Sequence, residues 1–408
     1  MVGVQIMTSE KTKLPSSVDI VVIGGGIIGL SFAYEAAAAG RSVLVVERRR
    51  CGSGATPVAA GMLAPISEAE ATLPGMVEFG LESSRLYPDF VGRIEADSNM
   101  RCGYRTEGTL SIAVDRDQME QLEHRAATHK ELGLKADRLS AREVQQLEPG
   151  LSTRILGGLR TEIDCQVDPR ALSAALVVAG STQGVVFADA TEVASVELSP
   201  TGLVCGVSLT SNKESMGTDL EQNRIKTQNL VLCAGAWTRE LIPEVSDLPL
   251  YPVKGQVIRL RGDVGISHVV TSPDAYLVPR AGGELVVGAS IEDQGFDDRP
   301  TAGVTMELLG QAWRVLPSVY ELEIAEINVG FRPAFPDHMP AIGPIGLPGA
   351  FVATGHYRNG ILLAPATAKY LYEIMDTGEI PEVIDRFTPA RFGAAHPPAV
   401  RGTMEIGT

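Results

Sequence analysis

VDIVVIGGGIIGLSFAYEAAAAGRSVLVVER, residues Val18–Arg48, is an apolar run, a cluster of glycines, an alanine-rich stretch and a second apolar run closed by an acid. Asp19–Ile23 is predicted as a buried parallel strand, because it is rich in β-branched residues and bounded by glycine. Gly24, Gly26 and Gly29 fit G-x-G-x-x-G where that strand hands over to a helix. The first permits a tight turn, the second lets a pyrophosphate approach the backbone, and the third lets helix and strand pack closely. The helix is predicted over Leu30–Ala39, closed by Gly40, and its N-terminus offers unpaired N–H groups and partial positive charge to phosphate. Ser42–Val46 is the second strand, and Glu47 ends it where a carboxylate can accept from ribose hydroxyls. Glycines alone would fit any tight strand-to-helix turn. Strand, glycines, helix, strand and acid in register point to a dinucleotide site.

Composition narrows the class. At 408 residues the chain can hold two domains or one interleaved pair, with ample core. Hydrophobic residues make up 44%, and no apolar run is long enough to span a bilayer. The net charge of −15 and the lack of a basic stripe argue against nucleic acid as a partner. An anionic substrate must then meet locally placed arginines. Five scattered cysteines form no CxxC pair, which suits reduced thiols and a cytoplasmic protein. Residues 1–17 are polar and mixed in charge and read as a loose leader, lacking the apolar core of a secretory signal. HExxH, G-x-S-x-G and Walker lysine motifs are absent, and no metal site is expected.

Further along, helices are predicted over Met76–Ala96, Asp117–Leu132, Ser140–Leu147, Asp168–Gly180, Thr301–Val315 and Ile361–Thr377. Ser140 with Glu143 makes a capping box, and Pro169 suits a first turn. Strands are predicted at Gly108–Ala113, Val185–Phe187, Glu192–Leu198, Val204–Leu209, Asn229–Cys233, Ile324–Arg332 and Ala350–Ala353. Tyr251–Leu260 and Tyr276–Val287 suggest an antiparallel sheet. A polar loop is expected around Ser211–Gln228, and the tail after Pro389 is read as peripheral. The order implies a nucleotide domain assembled from three separated segments, with a second domain inserted between them.

Two further stretches carry chemistry. Ala234-Gly235-Ala236-Trp237 follows a strand and fits either bare backbone beneath an extended cofactor or a tight turn anchored by Trp237. In TGHYRNGILLAPAT, Thr354–Thr367, Gly355 and Gly360 bracket a loop that delivers a helix N-terminus towards the sheet. That positive end would stabilise the anionic N1–C2 carbonyl region of a reduced flavin. A nicotinamide loses its positive charge on reduction and has less use for it.

The chain resembles the D-amino-acid-oxidase-type FAD-dependent amine oxidases, and most of all the glycine oxidases of the thiamine-linked (ThiO) type. The resemblance rests on GGGIIG, AAGMLAP (59–65), VLCAGAWT (231–238), PVKGQ (252–256), YLVPR (276–280), LVVGAS (285–290), GFRPAFPDHMPAIG (330–343) and GHYRNGILLAPAT (355–367). It implies an α/β fold, α+β overall: a Rossmann-like FAD-binding domain from residues 1–88, 165–245 and 335–408, and a substrate domain with a mainly antiparallel sheet from 89–164 and 246–334. It implies that Gly24, Gly26, Ile27, Ile28 and Gly29 face the FAD pyrophosphate and Glu47 with Arg48 the adenosine ribose. Ala55 and Thr56 would continue along the phosphates, Ala60, Gly61 and Met62 would pass beside the isoalloxazine, and Val193 would contact the adenine. His356, Tyr357, Arg358, Asn359, Gly360, Ile361 and Leu362 would wrap the pyrimidine edge. Cysteine is absent from 330–343, where covalently flavinylated relatives carry their attachment residue, so the FAD is expected to be non-covalent.

The resemblance also gives a substrate site of Arg332, Tyr276 and Arg358. A planar guanidinium grips a carboxylate through two parallel bonds. From the residues alone, Arg332 reads rather as a surface arginine capped by a carboxylate such as Asp337, Tyr276 as a packed tyrosine, and Arg358 as a loop arginine holding a neighbouring carbonyl. The implied reaction is oxidative deamination of glycine, sarcosine and small D-amino acids by hydride transfer to flavin N5. Dioxygen would be reduced to hydrogen peroxide, and the imine would hydrolyse to glyoxylate and ammonia, with a role in thiamine thiazole biosynthesis. A quinone-linked D-amino acid dehydrogenase and a sarcosine oxidase are the alternatives. A homo-oligomer, dimer or tetramer, is implied as well.

Overall fold

Ile20–Ile23, four β-branched residues all buried, form a central strand of a six-stranded sheet. The computed structural model describes residues 14–68, 73–211 and 223–393. Across the sheet the order is Ala341–Pro344, Ala350–Thr354, Asn229–Leu232, Ile20–Ile23, Val43–Val46 and Val186–Ala188. Every pairing is parallel except that of the edge strand Ala341–Pro344. Val22 sits between Val45 and Val231, so the glycine turn leaves the sheet where the chain has strands on both sides. That is the crevice in which open parallel sheets bind ligands.

The first helix, Ile27–Ala38, begins three residues before the predicted Leu30 because Gly26 already holds the extended N-cap conformation, φ −75° and ψ 178°. It is buried on most sides, and its alanines admit the terminal helix Gly360–Thr377 and the helices Pro74–Ser98 and Pro169–Thr182 into one core. On the other face of the sheet Val21 and Leu44 pack against Val207, Leu209 and Ile225 of a three-stranded sheet. Asp168 caps Pro169–Thr182 by accepting from the N–H groups of Arg170 and Ala171 at 2.9 and 3.3 Å. The Ser140–Glu143 capping box forms as expected.

A second sheet has eight strands in the order Glu323–Ala334, Tyr251–Arg261, Glu284–Gly288, Tyr276–Pro279, Val269–Thr271, Thr109–Ala113, Gly157–Thr161 and Asp137–Ser140. It is antiparallel apart from the pair Val269–Thr271 with Thr109–Ala113. The predicted run Tyr276–Val287 is two strands, because Gly282 and Gly283 turn the chain at φ 78° and 77°.

Other expectations are corrected. The Ala234–Trp237 stretch, read as bare backbone or a tight turn, opens a 3-10 segment, Gly235–Glu240. Within AAGMLAP, Met62–Leu63 is a two-residue strand paired with Cys165–Gln166, absent from the predicted strands. The end of the supposed loose leader is packed: Leu14 is buried, and Ser17 bridges Lys226 within the expected polar loop, where Arg224–Lys226 is a strand. Residues 212–222 of that loop, 1–13 of the leader and 394–408 of the tail lie outside the described residues. The five cysteines form no disulfide. Helix Pro74–Ser98 runs through residue 88, where a domain boundary was expected. No described helix is long and apolar enough to cross a membrane, and no described His/Cys/Asp/Glu cluster could hold a metal.

Candidate cofactor and substrate site

A cleft of about 500 Å³ opens at the end of the central strand and runs to the face of the eight-stranded sheet. It begins at the glycine turn. Gly24 has φ +108°, and a Cβ there would meet the Cys233 carbonyl oxygen at 2.4 Å. Gly26 brings bare backbone to the cleft, and Ile27 donates its N–H to Thr56 Oγ1 at 3.0 Å. The glycine loop is tied from the second strand: the Glu47 carboxylate accepts from Gly25 N–H at 2.8 Å and Arg49 N–H at 3.0 Å. Arg48 lies over the Trp237 ring at 4.2 Å, and Trp237 stacks on Phe296 at 5.1 Å, so AGAW supplies an aromatic platform at the rim.

The middle of the cleft is the loop carrying Ala55, Thr56, Ala60, Gly61 and Met62. Arginines on other elements hold it, Arg259 and Arg280 buried and Arg170 half-buried. Pro57 O accepts from Arg170 Nε and Arg259 Nη2, each at 3.0 Å, and Ala60 O accepts from Arg280 Nη2. Arg170 is fixed bidentately by Glu326 at 2.7 and 3.0 Å, and Arg259, 1% exposed, by Glu284 at 2.5 Å. Burial pulls the Arg280 guanidinium down to about 10. Val167 N–H reaches Gly61 O at 2.9 Å. A Cβ at Gly61 would lie 2.1 Å from Val167 O, which accounts for glycine there. None of these arginines was singled out in the sequence. An arginine between Ile258 and Leu260 in a strand is the one visible signal, since a long cation in an apolar run must find a buried partner.

The far wall is the HYRNG loop. Gly355, at φ +78°, passes against the Phe335 ring, and Tyr357 N–H donates to Pro333 O at 2.8 Å, joining this loop to the strand of Arg332. The terminal helix begins at Gly360 with no side-chain cap and no acid in its first turn, so its positive end faces the cleft uncompensated by an acidic residue of that turn. Pro365 removes the N–H that would bond Ile361 O, and Tyr87 donates its hydroxyl there at 2.5 Å. Ser83 inserts next to it, donating to Leu362 O at 2.6 Å and accepting from Ala366 N–H at 3.3 Å. His356 is buried with Nε2 3.1 Å from Thr367 Oγ1, and burial lowers it to about 3, so it is neutral near pH 7.

Arg332 and Tyr276 meet on the sheet face that closes the cleft. Arg332 Nη1 donates to Ser290 O at 3.0 Å and Lys254 O at 3.4 Å. No described carboxylate pairs with it, and Asp337, the partner considered from the sequence, binds Arg391 at 2.8 Å. Burial pushes the Tyr276 hydroxyl up, with the nearby Arg332 charge opposing, so it keeps its proton. Glu68, Arg358, Phe331 and Gly330 complete this end, and Val58 packs against Gly330.

The cleft therefore gathers Gly24, Gly26, Ile27, Ile28, Glu47, Arg48, Ala55, Thr56, Ala60, Gly61, Met62, Val193, Tyr276, Arg332, His356, Tyr357, Arg358, Gly360 and Ile361. Gly29, Asn359 and Leu362 do not line it. Gly29 sits against the Gly24 carbonyl, where a Cβ would be 2.0 Å away, in helix-to-strand packing. Asn359 and Leu362 face a smaller cavity behind Tyr357 and Arg358.

Residues 19–374 match the family model DAO, FAD dependent oxidoreductase. The chain belongs to this family. Relatives are the bifunctional protein ThiO/ThiG of Synechocystis, 34% identical over 92% of this chain and 54% of that protein, and the glycine oxidase of Bacillus licheniformis, 32% identical over 93% and 98%. The chain thus spans about half the length of the bifunctional relative. The crystal structure of glycine oxidase from Geobacillus kaustophilus superposes with a TM-score of 0.84 at 28% identity, covering 92% of this chain and 99% of that one. FAD is the cofactor of this DAO-family protein. The residues present fit it: the turn is tight enough that a Cβ at Gly24 would strike the Cys233 carbonyl, Gly26 leaves bare backbone on the cleft where a pyrophosphate can approach, and the terminal helix presents its positive end to the cleft.

Proposed function

We propose that this FAD-dependent oxidoreductase oxidatively deaminates small amino acids, glycine foremost, with sarcosine and small D-amino acids as further substrates. The observation that carries this is Arg332: a guanidinium on the cleft wall with no described carboxylate partner, beside a tyrosine hydroxyl that keeps its proton. Such a pair suits a substrate carboxylate, the guanidinium through two parallel bonds and the phenol through a third. Arg358 would add a second cation on the HYRNG side.

FAD, when bound, supplies the hydride acceptor at flavin N5 and passes the electrons to dioxygen, giving hydrogen peroxide. The protein's part is orientation. Arg332 and Tyr276 hold the carboxylate so that the α-carbon faces the cofactor, and the loop Ala60–Met62 allows close approach. A substrate amine that arrives neutral needs no side-chain base, and neutral His356, bonded to Thr367, supplies none. The resulting imine adds water and releases glyoxylate and ammonia. The absence of cysteine from 330–343, where covalently flavinylated relatives carry their attachment residue, supports non-covalent FAD. The likeness to ThiO/ThiG supports a place in thiamine thiazole biosynthesis.

The test is aerobic turnover of the yellow protein with glycine, sarcosine and D-alanine. Peroxide and glyoxylate in equal amounts from glycine are expected. Flavin bleaching with almost no peroxide would favour a quinone-linked dehydrogenase, and a higher kcat/KM for sarcosine than for glycine a sarcosine oxidase.

A further inference from the structure

Arg332, Gly255, Gly288 and Tyr276 lie on four consecutive strands of the eight-stranded sheet, in that order. Tyr276 pairs directly with Gly288, and Gly288 with Val257. Gly255, two residues along the strand from Val257, pairs with Gly330, and Arg332 stands two residues beyond Gly330. Side chains two residues apart on a strand share a face, so all of these point to the same side. The two long polar side chains come from the outer strands of this group, and the two inner strands carry glycines between them.

Neither glycine has φ in the left-handed region. Space explains them. A Cβ on Gly255 would lie 2.4, 2.5 and 2.6 Å from Nη1, Nη2 and Cζ of Arg332. A Cβ on Gly288 would lie 2.4 Å from the Tyr276 hydroxyl oxygen and 2.5 Å from its Cζ. The guanidinium and the phenol therefore lie flat on bare backbone and turn inward from opposite sides. Arg332 is held in that pose by Ser290 O and Lys254 O.

We propose that Gly255 and Gly288 are positioning residues for the substrate carboxylate: each keeps one strand bare so that Arg332 and Tyr276 can lie down and converge. This rests on the assignment of those two side chains to the carboxylate made above. A methyl group at Gly255 displaces only the tip of a flexible arginine, at little cost to the fold. The guanidinium must then rise from the sheet and leave its two carbonyl partners, and the clamp geometry goes with it.

The experiment uses the FAD-loaded Gly255→Ala, Gly288→Ala and Arg332→Ala variants and the double variant Gly255→Ala/Arg332→Ala. Acetate, a carboxylate with no amine, is titrated by its perturbation of the flavin spectrum, alongside glycine KM and kcat, flavin content and Tm. Gly255→Ala is expected to weaken acetate and raise the glycine KM at least about tenfold, a loss of about 1.4 kcal/mol, with flavin content and Tm unchanged. In the double variant Gly255→Ala adds nothing to the effect of Arg332→Ala, because the group it displaces is gone. Gly288→Ala weakens acetate independently through Tyr276. Acetate binding within twofold of the parent in both glycine variants overturns the proposal, as does a Gly255→Ala protein that loses flavin or melts early. Wild-type acetate binding in Arg332→Ala itself would instead remove the carboxylate assignment on which the proposal rests.

Discussion

The hydroxyl of Tyr87 donates to the carbonyl of Ile361 across 274 residues of chain, at the point where Pro365 has left that carbonyl without its helical partner. Helix Pro74–Ser98 thus completes the first turn of the terminal helix, whose start lines the cleft. Tyr87→Phe leaves a buried carbonyl unsatisfied and should cost about 1–3 kcal/mol, read as a lower urea midpoint with an unchanged slope. In a Pro365→Ala background residue 365 regains an N–H, and the cost of Tyr87→Phe should shrink. Equal costs in both backgrounds would show that the hydroxyl does not replace the missing donor.

Glu47 holds the glycine turn through Gly25 N–H and Arg49 N–H. Glu47→Ala removes a charged acceptor worth about 1.5–3 kcal/mol per bond, so FAD affinity should fall tenfold or more. Glu47→Gln keeps one acceptor oxygen and should lose less. Fluorescence titration of the apoprotein with FAD reads both; equal affinity in Glu47→Ala and the parent would remove Glu47 from this role.

Two buried groups give opposite pH dependences of stability. His356 is lowered from 6.5 to about 3 by burial. Between those values the unfolded chain binds a proton that the folded chain lacks, so this contribution is full above pH 6.5 and is lost as pH falls. Asp164 is raised from 3.8 to about 7 by burial, against the hydrogen bonds it accepts from Ile66 and Ser67 N–H. There the folded chain holds the extra proton, and stability falls as pH rises through the window. Asp164→Asn removes only the second effect. Its stability relative to the parent should climb with pH by up to about 1.4 kcal/mol per unit from about pH 4 to 7 and level off above. Urea unfolding at several pH values reads this, and a pH-independent difference would contradict it.

What was legible in the sequence was what is decided locally. Ile20–Ile23, the glycine turn and Val43–Val46 are contiguous, the Ser140 capping box acts within three residues, and Pro169 marks the first turn of its helix. The edge strand Asp137–Ser140 and its neighbour Gly157–Thr161 were not foreseen, because their short and mixed sequences become strands only through partners elsewhere in the sheet. In the site, Arg332 and Tyr276 were named by resemblance to a family. Their geometry depends on Gly255 and Gly288, whose purpose shows only when four strands lie side by side. The arginines holding Pro57 and Ala60 were hidden for the same reason, since each reaches its carbonyl across more than a hundred residues.

The central claim is that Arg332 binds the carboxylate of a small amino acid whose hydride reduces the flavin. Anaerobic mixing of the holoenzyme with glycine, followed by loss of the yellow flavin absorbance, tests it most directly. The parent should bleach with a saturable dependence on glycine. Arg332→Ala should retain its FAD yet need about a hundredfold more glycine, as expected for losing two charged hydrogen bonds of about 1.5 kcal/mol each. Bleaching of Arg332→Ala at the parent's glycine concentration, or a parent protein that glycine never bleaches, would contradict the account.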